Sequence, residues 1–145
     1  MAIKKLLIEA QSIQVGINTS DWKEVIAIAA KPLIDGGYIQ ESYSQAVIDN
    51  TLEHGPYYVF EEGLAIPHAR PECGVIKNCF SMVLLSEPIS FAGSNKVDIV
   101  IMFGATDGKS HIEDGIRSII NLLENEDTMT KLRHVKIKDE VMEIL

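Results

Sequence analysis

The sequence predicts an α/β chain, one domain over residues 1–145, with a mixed β-sheet of four to six strands and helices on both faces. Three observations carry that expectation. Val97-Asp98-Ile99-Val100-Ile101-Met102-Phe103-Gly104-Ala105 is nearly all apolar, as in a central strand covered on both faces. Ser12-Ile13-Gln14-Val15-Gly16-Ile17 alternates with period 2, the mark of a half-buried strand. Around these runs lie segments of helical period that begin at cap residues.

The elements follow in order. Ile3 to Ala10 reads as a short helix, and Ile13, Val15 and Ile17 put one face of a strand inward. Asp21-x-x-Glu24 resembles a capping box and opens a helix carrying Val25, Ile28, Ala29 and Leu33 inward. Pro32 would kink it and Gly36-Gly37 would end it. Glu41 to Leu52 is a helix with Tyr43, Ala46, Val47 and Asn50 on one stripe. Tyr57 to Phe60 and Leu64 to Ile66 read as short strands around Glu61-Glu62-Gly63. Cys79 to Leu85 is a strand, and Ile89 to Phe91 is a brief extended piece after Pro88. Thr106-Asp107-Gly108-Lys109 reads as a turn. Ser110-His111-Ile112-Glu113 reads as a capping box opening a helix to about Leu123, with Ser110 as the N-cap. Asp127 to Arg133 and Asp139 to Leu145 read as two short helices.

The bulk properties narrow the function. A chain of 145 residues can bury about 68–70% of its unfolded surface. Hydrophobic content of 46% and charged content of 23% are ordinary globular values. A formal charge of −8 argues against nucleic acid or an anionic membrane as partner. It suits a basic protein partner, and equally an acidic surface kept for solubility. No segment approaches the roughly 18 apolar residues of a membrane span. Glu9, Gln11 and Gln14 interrupt the N-terminal apolar run too soon for a secretory segment. Cys73 and Cys79 match neither CxxC nor a disulfide framework. Two reduced structural cysteines in a cytoplasmic protein are the simplest account.

His68 is the most informative residue. It follows the apolar run Leu64-Ala65-Ile66, and Pro67 cannot donate a ladder hydrogen bond, so the sheet should stop there. His68 is thereby delivered at a strand end, where α/β proteins keep their chemistry. A histidine so placed can be a base, a metal ligand or a nucleophile.

The other histidines differ in promise. His134 follows Lys131 and Arg133 and reads as a surface residue. His54, just past a helix, suits the negative end of a helix dipole. His111 would occupy the first turn of its helix, where positive charge is disfavoured and free N–H groups offer an anion site. The spacing of His54, His68 and His111 matches no zinc motif such as HExxH, so no metal is expected. No GxSxG elbow supports a Ser-His-Asp hydrolase, and the glycines form no Walker or Rossmann fingerprint. Nucleophilic histidine remains. A neutral imidazole can attack a phosphoryl group and carry it as phosphohistidine. A second neutral imidazole, a helix N-terminus and Arg70 could hold the phosphoryl oxygens.

These residues resemble a known family. Gly63-Leu64-Ala65-Ile66-Pro67-His68 is similar to the active-site signature of enzyme IIA components of the bacterial phosphoenolpyruvate-dependent phosphotransferase system (PTS), mannitol/fructose superfamily. The likeness runs over essentially the whole chain. It includes Tyr43-x-x-Ala46, Phe80 to Leu85 and Lys109-Ser110-His111. Within the superfamily, three stretches look like the L-ascorbate-specific branch: Glu53-His54-Gly55-Pro56-Tyr57-Tyr58-Val59, His68-Ala69-Arg70-Pro71-Glu72-x-Gly74-Val75 and Ile119-x-Asn121-Leu122.

The resemblance implies a type-2 EIIA domain with an α/β mixed-sheet fold; no cofactor is expected. It implies that His68 accepts a phosphoryl group from the phosphohistidine of HPr and passes it to a cysteine of enzyme IIB. The membrane IIC component, an indirect partner, would then import the sugar. His111 corresponds to the family's supporting histidine. Two departures stand out. The residue after the active histidine is usually glycine, and here it is Ala69, which demands φ below zero. The mannitol branch carries an arginine late in the preceding helix, where this chain has Leu52-Glu53-His54. Arg70 or His54 is the expected replacement. The alternative function is that of the nitrogen-type IIA proteins, which share fold and signature but regulate other proteins by contact.

Overall fold

The computed structural model describes residues 3–60 and 62–145. Met1, Ala2 and Glu61, which the sequence reading places at the N-terminus and in a turn, lie outside the described residues. The chain runs α1 (Ile3–Ala10), β1 (Ile13–Ile17), α2 (Trp22–Asp35), α3 (Glu41–His54) and β2 (Leu64–Ala65). After a 3-10 turn at Pro71–Cys73 come β3 (Cys79–Ser90), β4 (Lys96–Gly104) and α4 (Gly108–Ser110). A π-helical segment, His111–Ile116, leads into α5 (Arg117–Leu123), followed by α6 (Glu126–Arg133) and α7 (Lys138–Ile144).

The strands form one mixed sheet in the order β1-β3-β4-β2. β1 is parallel to β3, β3 antiparallel to β4, and β2 parallel to β4. Alternation along β3 and β4 divides the interior in two. Cys79, Val83, Val100 and Met102 pack against Val25, Ile26 and Leu33 of α2 and Tyr43 and Val47 of α3. Phe80, Met82, Ile99, Ile101 and Phe103 pack against Leu7, Ile119, Leu132 and Val141 on the other face. Helices therefore cover both faces, as the sequence predicts. Each such side chain contributes about 1.5–3 kcal/mol by leaving water.

Two expected strands change form. Tyr57 to Phe60 is not a strand; it contributes a single bridge, Val59 to Ala65. The two pieces expected at 79–85 and 89–91 are one strand with a register irregularity between Leu84 and Ile89. Pro88 fits inside it because β1 pairs only as far as Leu85, so no neighbour on that side needs the missing N–H. Pro32 lies within α2 without ending it. Asp21 caps that helix, its carboxylate accepting from the Lys23 N–H at 2.9 Å.

The pairing of β2 and β4 positions the chemistry. Because they are parallel neighbours, both end on the same side of the sheet. His68 follows β2 there, Phe103 stands at the end of β4, and His111 follows shortly after. The Phe103 N–H donates to the Pro67 carbonyl at 3.4 Å, so the two strand ends stay joined past the proline.

Candidate active site

His68 is fixed through its ring nitrogens. Its Nδ1 lies 2.7 Å from the Ile66 carbonyl oxygen. A carbonyl can only accept, so Nδ1 carries the proton and Nε2 keeps a bare lone pair. Burial, the larger effect, holds the His68 pKa below the ordinary histidine value. The bond to Ile66 opposes that shift, and the neighbouring His111 adds to it. The ring is thus neutral near pH 7, with one nucleophilic nitrogen.

Aromatic groups hold the ring on three sides. The Phe103 ring is stacked on it at 5.0 Å and 29° between planes. Tyr57 meets it edge-on at 5.4 Å and His111 at 5.0 Å. Phe103 lies 5.0 Å from His111 as well, so one phenyl ring supports both imidazoles. That support requires Gly115. A Cβ there would lie 2.3 Å from Phe103 Cε2, so only glycine lets the π-helical segment approach.

The backbone after His68 is equally restrained. The Tyr43 hydroxyl donates to the Phe103 carbonyl at 2.6 Å and accepts from the Ala69 N–H at 3.0 Å. Tyr57 donates its hydroxyl proton to the His68 carbonyl. Ala69 is buried, and the non-glycine residues of positive φ among the described residues are Gln11 and Ala92. Ala69 therefore keeps φ below zero, as its side chain demands.

His111 is where the sequence expectation needs correcting. The N-cap is Asp107, not Ser110: its carboxylate accepts from the Ser110 N–H at 2.8 Å. A carboxylate at the N-terminus of α4 out-competes a hydroxyl placed later. The His111 N–H donates to the Asp107 carbonyl at 2.9 Å. His111 therefore opens the π-helical segment, and the donors at Ser110 and His111 are already used. The His111 pKa is lowered, as expected, but burial causes it, while Glu72 opposes the shift. His111 Nδ1 is buried and has no hydrogen-bond partner among the described residues.

All four histidine and arginine candidates line one cavity of about 510 Å³: His54, His68, Arg70 and His111, with Asn50, Tyr57, Ala69 and Cys73. His68 and His111 are in ring contact. His54, in the last turn of α3, is 64% exposed and lies 3.8 Å from the Glu53 carboxylate. Arg70 is exposed at the rim. His134 lies apart, its Nδ1 donating to the Thr130 carbonyl. No group of three or more potential metal ligands occurs among the described residues. No helix among them is long and apolar enough to cross a membrane.

Sequence reasoning missed Tyr57, Phe103 and Gly115. Phe103 carried only a strand signal, and Tyr57 a strand signal and a place in the ascorbate-like stretch, neither of which marks a role at the site. Gly115 matched no glycine motif, and only its place four residues beyond His111 hinted at a close approach.

Comparison with known proteins places this geometry. The family model for the phosphoenolpyruvate-dependent sugar phosphotransferase system, EIIA 2, matches residues 6–145. The ascorbate-specific PTS system EIIA component of Escherichia coli K12 is 36% identical over 147 residues, covering 100% of this chain and 96% of that protein. Among solved structures, the mannitol-specific cryptic phosphotransferase enzyme IIA CmtB of Escherichia coli superposes with TM-score 0.89 at 34% identity, over 99% of this chain and 97% of that one. The mannitol enzyme IIA of Escherichia coli, solved in complex with its phosphorylated enzyme IIB, superposes with TM-score 0.80 at 29% identity, over 93% and 94%.

Proposed function

Because the chain belongs to the EIIA 2 family of the phosphoenolpyruvate-dependent sugar phosphotransferase system, and is a phosphotransferase component of it, we propose that His68 is its phosphoryl carrier. The donor is the phosphohistidine of HPr, the acceptor is a cysteine of enzyme IIB, and the sugar imported through IIC is L-ascorbate. The single observation that carries this reading is the bond from His68 Nδ1 to the Ile66 carbonyl, which leaves Nε2 free to attack.

The proposed transfer has two steps. The Nε2 lone pair forms a bond to phosphorus as the N–P bond of the donor breaks, and that electron pair returns to the donor imidazole. Positive charge gained by the His68 ring is shared with the Ile66 carbonyl through Nδ1–H. A buried N–H without an acceptor costs more than a bare lone pair. The His111 proton therefore sits on Nε2, where it can donate to a phosphoryl oxygen. Arg70 and His54 line the same cavity, where each can donate an N–H to a phosphoryl oxygen. In the second step a cysteine thiolate attacks phosphorus, the P–Nε2 bond breaks, and its electrons return to His68.

Partner identity rests on the family and on the mannitol enzyme IIA solved with its phosphorylated IIB. The sugar rests on the ascorbate-specific relative. A cytoplasmic location agrees with a carrier that shuttles between soluble partners. Deletion of the gene should abolish uptake and phosphorylation of L-ascorbate. Unchanged uptake, with altered activity of some other protein, would favour the regulatory role of nitrogen-type IIA proteins instead.

A further inference from the structure

One peptide group, that joining His68 to Ala69, is gripped from both ends. Its carbonyl accepts from the Tyr57 hydroxyl, and its N–H donates to the Tyr43 hydroxyl at 3.0 Å. Tyr43 is buried and tied to the Phe103 carbonyl, so it belongs to the scaffold. Tyr57 is different. It is 45% exposed, lines the cavity beside His68, and also sets its ring edge-on to the imidazole. The chain reaches this pose by leaving α3 at Gly55, whose φ of 83° turns it back over the strand end, with Pro56 next. Asn50 of α3 lines the same cavity as Tyr57.

We propose that Tyr57 is a positioning residue for phosphoryl transfer: its hydroxyl and ring together fix the orientation of His68, so that Nδ1 stays on Ile66 and Nε2 points into the cavity. The inference rests on His68 as phosphoryl carrier. It assigns to Tyr57 a task that the supporting histidine does not perform. His111 contacts the imidazole ring but, among the described residues, makes no hydrogen bond to the backbone around His68, whereas Tyr57 holds both ring and backbone. If the peptide group turns, the Nδ1–H bond to Ile66 is lost, and the competing tautomer blocks the attacking nitrogen.

The test is Tyr57→Phe, which keeps the ring and removes the hydroxyl. A neutral hydrogen bond of this kind corresponds to a change of about three- to tenfold in rate. The maximal rate of phosphoryl transfer from phospho-HPr should fall by about that factor, with KM unchanged. Nitrogen-15 spectra of the imidazoles in the unphosphorylated protein should show His68 losing its single Nδ1–H tautomer. Tyr57→Leu should lower the rate further. Wild-type rate and tautomer in Tyr57→Phe would overturn the proposal, as would an effect on KM alone, which would make Tyr57 a docking residue. The tautomer is read without phosphate, so it judges Tyr57 independently of whether His68 accepts the phosphoryl group.

Discussion

The imidazole of His68 lies on the phenyl ring of Phe103, with centroids 5.0 Å apart and planes 29° apart. The contact joins the ends of two parallel strands, and through Phe103 it extends to His111. The site is thus built on the sheet rather than on a free loop, which keeps the His68 ring in one orientation.

Gly115 limits how that stack can form. Gly115→Ala would force a methyl group to within 2.3 Å of Phe103 Cε2. We expect a loss of about 1–3 kcal/mol in urea unfolding, and slower phosphorylation because the support of both imidazoles shifts. Unchanged stability and rate would mean that the π-helical segment adjusts freely.

Tyr43→Phe removes the hydroxyl that serves both Ala69 and Phe103. A buried N–H and carbonyl lose a partner, at a cost of about 1–3 kcal/mol. Urea unfolding should show a lower midpoint with the slope unchanged.

Much of this was legible beforehand. The apolar run through Phe103 and the alternation from Ser12 to Ile17 marked strands because both faces of one, and one face of the other, must be covered. Pro67 and His68 stood out because proline ends a ladder. The tyrosines did not, since Tyr43 and Tyr57 look like packing residues until the peptide they share is seen. Asp107 and Ser110 are both good caps, and sequence could not rank them without knowing where β4 releases the chain.

The pH dependence has a definite sign. Burial lowers the folded pKa of both His68 and His111. Between the unfolded value, about 6.5, and the lower folded values, the unfolded chain binds more protons. Stability therefore falls as pH drops below about 6.5. Urea unfolding at pH 7.5 and 5.5 should show that loss, and His68→Ala should lessen it. Phosphoryl acceptance should persist below pH about 6.5 because the folded imidazole stays neutral. An equal pH slope in His68→Ala would contradict this.

The two thiols should react very differently. Burial pushes the Cys79 thiol up to about 12, whereas Cys73 is half-buried and lines the cavity with His68. In the native protein an alkylating reagent should modify Cys73 and spare Cys79. The bulky adduct should then slow phosphorylation, and Cys73→Ser should remove the inhibition. Peptide mapping by mass spectrometry checks both statements.

On the proposed mechanism His68 carries the phosphoryl group on Nε2. Incubation with phosphoenolpyruvate, enzyme I and HPr, followed by proton–nitrogen-15 correlation spectra of the labelled protein, tests it most directly. The expected result is an acid-labile phosphate on Nε2 of His68 that is absent from His68→Ala. Phosphate on Nδ1, or phosphate that persists in His68→Ala, would contradict it.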